Sequence, residues 1–216
     1  MLPALLVLGF AALVGAMVFW AAKHGETVHR NFDALAARLG LARPLNDTKR
    51  GLFRRAPEAH GEFRGKPARL FTYSTGTGKS RVTFIALSIR PRASGGLTFE
   101  ITPQGFGSKI AEFFGAREIT VDDPLFDQAW FVRTNQPEYL RAALIPELRA
   151  RLTAFKVDTL SARKPSFKLD GVAVTYSEAG DFFSEPGCER LARAADVLCD
   201  FADVAEVFAQ HASEPR

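Results

Sequence analysis

Three groups of residues have the types and spacing to do chemistry. The stretch "YSTGTGKSRVTF" contains Gly78-Lys79-Ser80, the ending of a phosphate-binding loop, in which backbone N–H groups and a lysine cradle phosphate oxygens. Asp122, Asp123 and Asp127 in "VDDPLFD" could supply carboxylate oxygens to a divalent cation. Four histidines (His24, His29, His60, His211) and two cysteines (Cys188, Cys199) complete the inventory of acid–base and nucleophilic candidates.

Each group is weighed by the element that must hold it. A phosphate loop needs a leading glycine where this chain has Tyr73, and a helix after the serine where this chain has the β-branched run "RVTFIALSI". Gly76 and Gly78 therefore read as the turn between two antiparallel strands, with Lys79 at a solvated tip. Asp-Pro in "VDDPLFD" is turn chemistry, and two or three carboxylates without further ligands make a weak cation site. The histidines are scattered and read as exposed. The cysteines lie eleven apart in one helical stretch, about 16 Å along its axis, too far for a disulfide, and read as small hydrophobes in a reducing compartment. No CxxC or Cys/His cluster, Gly-x-Ser-x-Gly elbow or nucleic-acid motif is present, so no catalytic residue, metal ligand, cofactor or nucleic-acid partner is assigned.

The strongest signal lies elsewhere. Leu2 to Ala22 is a run of 21 uncharged, mostly apolar residues, which as a helix covers the roughly 30 Å hydrocarbon layer. It lacks the basic start and small cleavage-site residues of a secretory signal, and Trp20 suits a membrane interface. Lys23, Arg30, Arg38 and Arg43 follow the run, which places the rest of the chain on the cytosolic side of a bacterial inner membrane in a single-pass topology. Residues 23 to 70 hold 11 basic and 5 acidic side chains within a chain of net charge +4, so Lys23, Arg30 and Arg38 are the expected contacts with anionic lipid.

The 216 residues, 47% hydrophobic and 24% charged, suffice for one well-packed domain beyond the anchor. The division expected is an anchor over 1–22, an amphipathic helix and connector over 23–60, an α+β domain over 61–211 and a tail over 212–216. Val28, Phe32, Leu35 and Leu39 form a helical apolar stripe that can pack on the domain or lie on the bilayer. "GEFRG" and "ARLFTYS", joined at Lys66-Pro67, then "RVTFIALSI" and "LTFEIT" read as four consecutive antiparallel strands. "FGSKIAEFFG" reads as a short helix, and "EITVDDPLFDQAWFVRT" as an acidic turn and a strand centred on Trp130 to Val132. After Asn135 as cap, Pro146 divides the next helical stretch in two. Asp170-Gly171 predicts a two-residue hairpin with Phe167, Leu169, Val172 and Val174 on one side. A C-terminal helix capped by Ser184 presents Leu191, Ala195, Leu198, Phe201, Ala205 and Phe208 to the sheet. The fold class is α+β: an N-terminal transmembrane helix, then a mainly antiparallel sheet with helices packed on it.

The stretch Ile119 to Leu152 resembles a family of uncharacterised bacterial membrane-anchored proteins. The likeness rests on Asp123-Pro124, Phe126-Asp127, Phe131-Val132 and Leu144 to Pro146, and extends to "GEFRGKPARL" and "FKLDGVAVTY", covering roughly residues 50 to 185. That resemblance implies a membrane-anchored α+β protein and brings no catalytic residues with it. The expected role is binding of a partner protein or of the anionic membrane surface. A membrane-tethered enzyme, such as a hydrolase, and a structural subunit of a membrane complex are the alternatives, the latter resting on the small-residue rows Ala11/Gly15 and Ala12/Ala16.

Overall fold

The computed structural model describes residues 2–44, 57–105, 117–155 and 163–213, with side chains from residue 13 onward. Helix α1 (Leu2–Arg38) runs without a break from the apolar stretch into the amphipathic one, straight through Gly25. Then follow β1 (Leu41–Ala42), β2 (Ala59–Phe63), β3 (Lys66–Thr75), β4 (Val82–Ile89), β5 (Phe99–Pro103), β6 (Arg117–Ile119), α2 (Pro124–Ala129), β7 (Trp130–Thr134), α3 (Pro137–Ala143), α4 (Pro146–Thr153), β8 (Ser166–Leu169), β9 (Val174–Ala179) and α5 (Glu185–Ser213). The nine strands form one antiparallel sheet in the order β1-β2-β3-β4-β9-β8-β5-β7-β6. The α+β class and the C-terminal helix are as the sequence implies. Among the described residues no helix is long and apolar enough to cross a membrane. The side chains of residues 1–12, the first half of the expected span, lie outside the described ones.

One face of the sheet is the core. Alternation along β4, β8 and β9 places Ile85, Leu87, Ile89, Phe167, Leu169, Val174 and Tyr176 against Leu191, Ala195, Leu198, Phe201 and Ala205 of α5. Phe167 sits at its centre, in ring contact with Trp130, Phe155, Tyr176 and Phe201. Phe32 and Leu35 of α1, with Leu39 just past its end, are buried in the same core, so this helix packs on the domain.

Several local expectations are corrected by specific contacts. The strand "LTFEIT" is not beside β4: β9 takes that place, and β5 pairs with β8 and β7. The connection after β4 first docks on the end of α5, where Gly95 (φ +57°) comes so close that a Cβ would lie 2.8 Å from the Ala209 Cα. Only glycine fits both the backbone angle and that gap. The β2–β3 reversal is made by Arg64 and Gly65 rather than by Lys66-Pro67. The Asp170 carboxylate accepts the N–H groups of both Val172 and Ala173, which stretches the β8–β9 loop to four residues and leaves Val172 54% exposed. Asn135 does not cap α3. Its side chain instead accepts the Thr98 N–H and donates to the Gly96 carbonyl, tying β7 to the chain entering β5. The division of that helical stretch into α3 and α4, with Pro146 opening α4, is as expected. The short helix expected at 106–115 and most of the connector lie outside the described residues.

Where α5 crosses the first strands it is held by charge. The buried Lys66 ammonium donates to Glu206 Oε1 at 2.5 Å and contacts Asp203 Oδ1 at 2.9 Å, and Glu206 also accepts the Arg92 N–H. Burial by itself would lower the lysine pKa and raise that of the glutamate, but the hydrogen bonds and opposite charges prevail in both. Lys66 is therefore raised above 10.5 and Glu206 lowered below 4.5. A depressed carboxylate stabilises the fold above its unfolded pKa and loses that contribution as pH falls through the folded value; a raised lysine contributes below its unfolded pKa and loses it at high pH. Lys66→Met is accordingly expected to cost about 1.5–3 kcal/mol near neutrality. In urea unfolding at a series of pH values, the difference from the parent should hold between about pH 5 and 10 and shrink below about pH 4. A difference unchanged from pH 3 to 7 would count against the ion pair.

Candidate functional site

The sequence motifs resolve into structural roles. The Gly78-Lys79-Ser80 segment is a single 3₁₀ turn between β3 and β4, with Gly76 and Gly78 at positive φ and Lys79 exposed. No helix follows it, so phosphate-loop geometry is missing. Of the three aspartates, Asp123 caps α2 by accepting the Phe126 N–H and pairs with Arg149, while Asp127 accepts the Val121 N–H. The expected acidic turn is thus a capped helix. The cysteines are unpaired, and burial raises both thiols, Cys199 to about 11, so neither is a thiolate at neutral pH.

The histidines differ from expectation. His60 and His211 are exposed, but His24 and His29 are half-buried with partners. His24 is sandwiched between Trp20 (ring centroids 5.3 Å apart) and Phe183 (4.4 Å), and its Nε2 lies 3.1 Å from Asp181 Oδ2. Phe183 belongs to the loop between β9 and α5. Asn31 of α1 donates to the carbonyls of Phe182 and Phe183 at 2.9 and 3.1 Å, and Phe182 buries its ring edge-on against Phe32. Asp181 also accepts the Phe183 N–H. This joint locks α1 to the domain. Above it, Leu13, Val14, Met17, Val18, Phe19 and Trp20 are exposed on α1, a row that a water-facing helix would not carry.

Lys23, Arg30 and Arg38, the expected lipid contacts, are all exposed on α1. A continuous helix spaces Arg30 about 10 Å and Arg38 about 22 Å beyond Lys23. Arg38 also pairs with Glu189 of α5 at 2.7 Å.

The sheet face opposite α5 is polar. Across the strands the register lines up Glu118, Arg133, Glu100, Lys168, Thr175, Ser88 and Arg69 in one row. Glu100 is buried and accepts from Arg133 Nε at 2.9 Å. Beside this row is a cavity of about 760 Å³ whose lining includes Tyr73, Phe84, Thr102, Ser166, Lys168 and Ser177. Tyr73 stacks on Phe84 (5.1 Å, 7° between planes) and donates to Ser177 Oγ at 3.0 Å. The buried Thr102 hydroxyl has no hydrogen-bond partner among the described residues. Among the described residues the lining combines hydroxyls, an aromatic wall, the amines of Lys164 and Lys168 and the carboxylates of Glu100 and Asp170, a set that suits hydrogen-bonded binding of a polar group. Sequence reasoning missed this site because its residues come from five strands. The one local signal was the hydroxyl-bearing positions alternating with the apolar ones in β8 and β9.

No family model and no curated protein matches the sequence. Among solved structures, the crystal structure of the mycobacterial trehalose monomycolate transport factor A is similar, with a TM-score of 0.51 and 14% sequence identity, over 83% of this chain and 95% of that one. At that identity the likeness is one of fold: the two chains share an α+β architecture along most of their lengths.

Proposed function

We propose that the chain is a single-pass protein of the bacterial inner membrane whose α+β domain faces the cytosol and binds a partner through its polar sheet face. One observation carries the reading: α1 is a single unbroken helix, exposed and apolar at one end and built into the domain core at the other. Such a helix needs an apolar surrounding for its upper part and holds the domain rigidly beneath it. The uncharged run Leu2–Ala22 has the length for a span, and the resemblance carried by Ile119–Leu152 points the same way. A neighbour in fold that is a transport factor is compatible with work at a membrane. Lys23 is the lipid contact of greatest weight, worth on the order of 1 kcal/mol, because Arg30 and Arg38 lie beyond the roughly 8 Å over which such charges act. For partner binding, the polar row and the cavity beside it supply donors and acceptors, and no recognised catalytic arrangement stands among the described residues there.

The test is fractionation of the full chain. The parent should stay with membranes through high salt and alkaline carbonate, and removal of residues 2–22 should release a folded domain. Protease added to spheroplasts should leave the domain intact. Extraction of the parent by salt alone, or cleavage of the domain from outside, would overturn the anchor or the orientation respectively.

A further inference from the structure

We propose that the loop carrying Phe183 is a second contact with the lipid headgroup boundary, so that the domain touches the bilayer at two points and is held at one tilt. The inference rests on the anchored reading above and adds a site to it. Phe183 is 47% exposed, although its backbone and its neighbour Phe182 are held by specific contacts. Asn31 holds its carbonyl, Asp181 holds its N–H, and Phe182 is plugged against Phe32, so the ring is displayed rather than loose. Through His24 it continues the ring stack of Trp20, which is 69% exposed and stands near the end of the uncharged run. His24 lies only about 6 Å along the axis beyond Trp20, within the 5–10 Å depth that interfacial side chains occupy.

The chemistry of the patch fits lipid rather than a protein groove. Phe19, Trp20 and Phe183 are aromatic side chains suited to the interface, and the exposed Lys23, three residues beyond Trp20, brings an ammonium to the same end of the helix that could meet lipid phosphates. Asp181, whose carboxylate lies against this stack, would be repelled by anionic lipid, but it is engaged by His24 and by the Phe183 N–H. The patch is also continuous with the exposed apolar side of α1, so lipid around the helix reaches it without a gap.

The experiment uses the full chain in vesicles of phosphatidylethanolamine and phosphatidylglycerol, with bromines placed near the headgroup end of the acyl chains. Trp20→Phe leaves only the buried Trp130 as background, and Trp20→Phe/Phe183→Trp adds a reporter in the loop. The expected result is loss of emission from the loop reporter and from native Trp20, with the Trp130 background unchanged. Quenching of Trp20 without the loop reporter would overturn the second contact while leaving the anchor standing; this is also the outcome if a protein or a second copy covers the loop. If neither is quenched, the anchored reading fails as well. The unsubstituted chain gives an independent answer: a headgroup-level nitroxide lipid should broaden the Phe183 ring resonances, and unbroadened signals would refute the contact.

Discussion

Replacing Arg190 by alanine should cost about 3–5 kcal/mol of stability, among the largest losses available to a single substitution in this domain. Glu178, at the end of β9, is only 2% exposed. Its carboxylate accepts from Arg190 Nε at 2.8 Å, from the other arm of the same guanidinium, and from the Tyr176 hydroxyl at 2.7 Å. Burial, reinforced by the Glu178 charge, raises the Tyr176 phenol far above its ordinary pKa, so it remains a donor at every accessible pH. Removing Arg190 strands a desolvated carboxylate, and that penalty exceeds the net worth of the pair. Urea unfolding should therefore show a lower midpoint at unchanged slope. The double variant Glu178→Leu/Arg190→Met, which removes both charges and retains volume, should recover most of the loss. A deficit under about 1 kcal/mol for Arg190→Ala would mean that the site is wet and the pair ordinary.

The same pair shows what could be read in advance. Val174, Tyr176 and Glu178 alternate onto the α5 side of β9, so a carboxylate falls on an apolar face and requires a cation from the helix above it. Arg190 was there to be found. The hairpin ahead of it was legible through Asp170-Gly171, but its length was not, since side-chain acceptance by Asp170 competes with the tight turn. The placement of β5 had no local signature at all. "LTFEIT" alternates as an edge or meander strand does, yet all five residues of β5 are buried, because Glu100 and Thr102 face the cavity rather than water. Which strands flank it is decided by Gly95 passing over α5 and by the Asn135 tie, contacts made between residues far apart in the chain. Lys23, Arg30 and Arg38 are close in sequence, and one continuous helix spreads them over about 22 Å. Phe182-Phe183, two aromatics in a turn between strand and helix, was the local signal of the joint between α1 and the domain. The first had to be buried or the second displayed, and the structure does both.

Phe32→Ala is expected to separate α1 from the domain while the sheet stays folded. Phe32 is fully buried on the side of α1 facing the β9–α5 loop, with Phe182 edge-on to its ring at 5.0 Å and the Arg43 guanidinium over its face at 5.0 Å. Loss of a buried phenyl group costs about 3–5 kcal/mol. The loss falls at a joint, not at the centre of the sheet: β4, β9 and the body of α5 keep their own contacts around Phe167 and Phe201. Free energy lost at the joint should therefore appear as local opening. Amides of residues 28–38 and 181–184 should exchange about a hundredfold faster or more, since about 3 kcal/mol corresponds to two decades. Amides of β4 and β9 should change far less. If those strands accelerate equally, α1 is an inseparable part of the core; if residues 28–38 keep their protection, Phe32 does not hold the joint. For a chain anchored as proposed above, a selective effect has a functional consequence. With the joint open, the domain would hang from a flexible tether, the Phe183 loop would lose the support of Asn31 and Phe182, and the polar sheet face would no longer be presented at a fixed angle to whatever it binds.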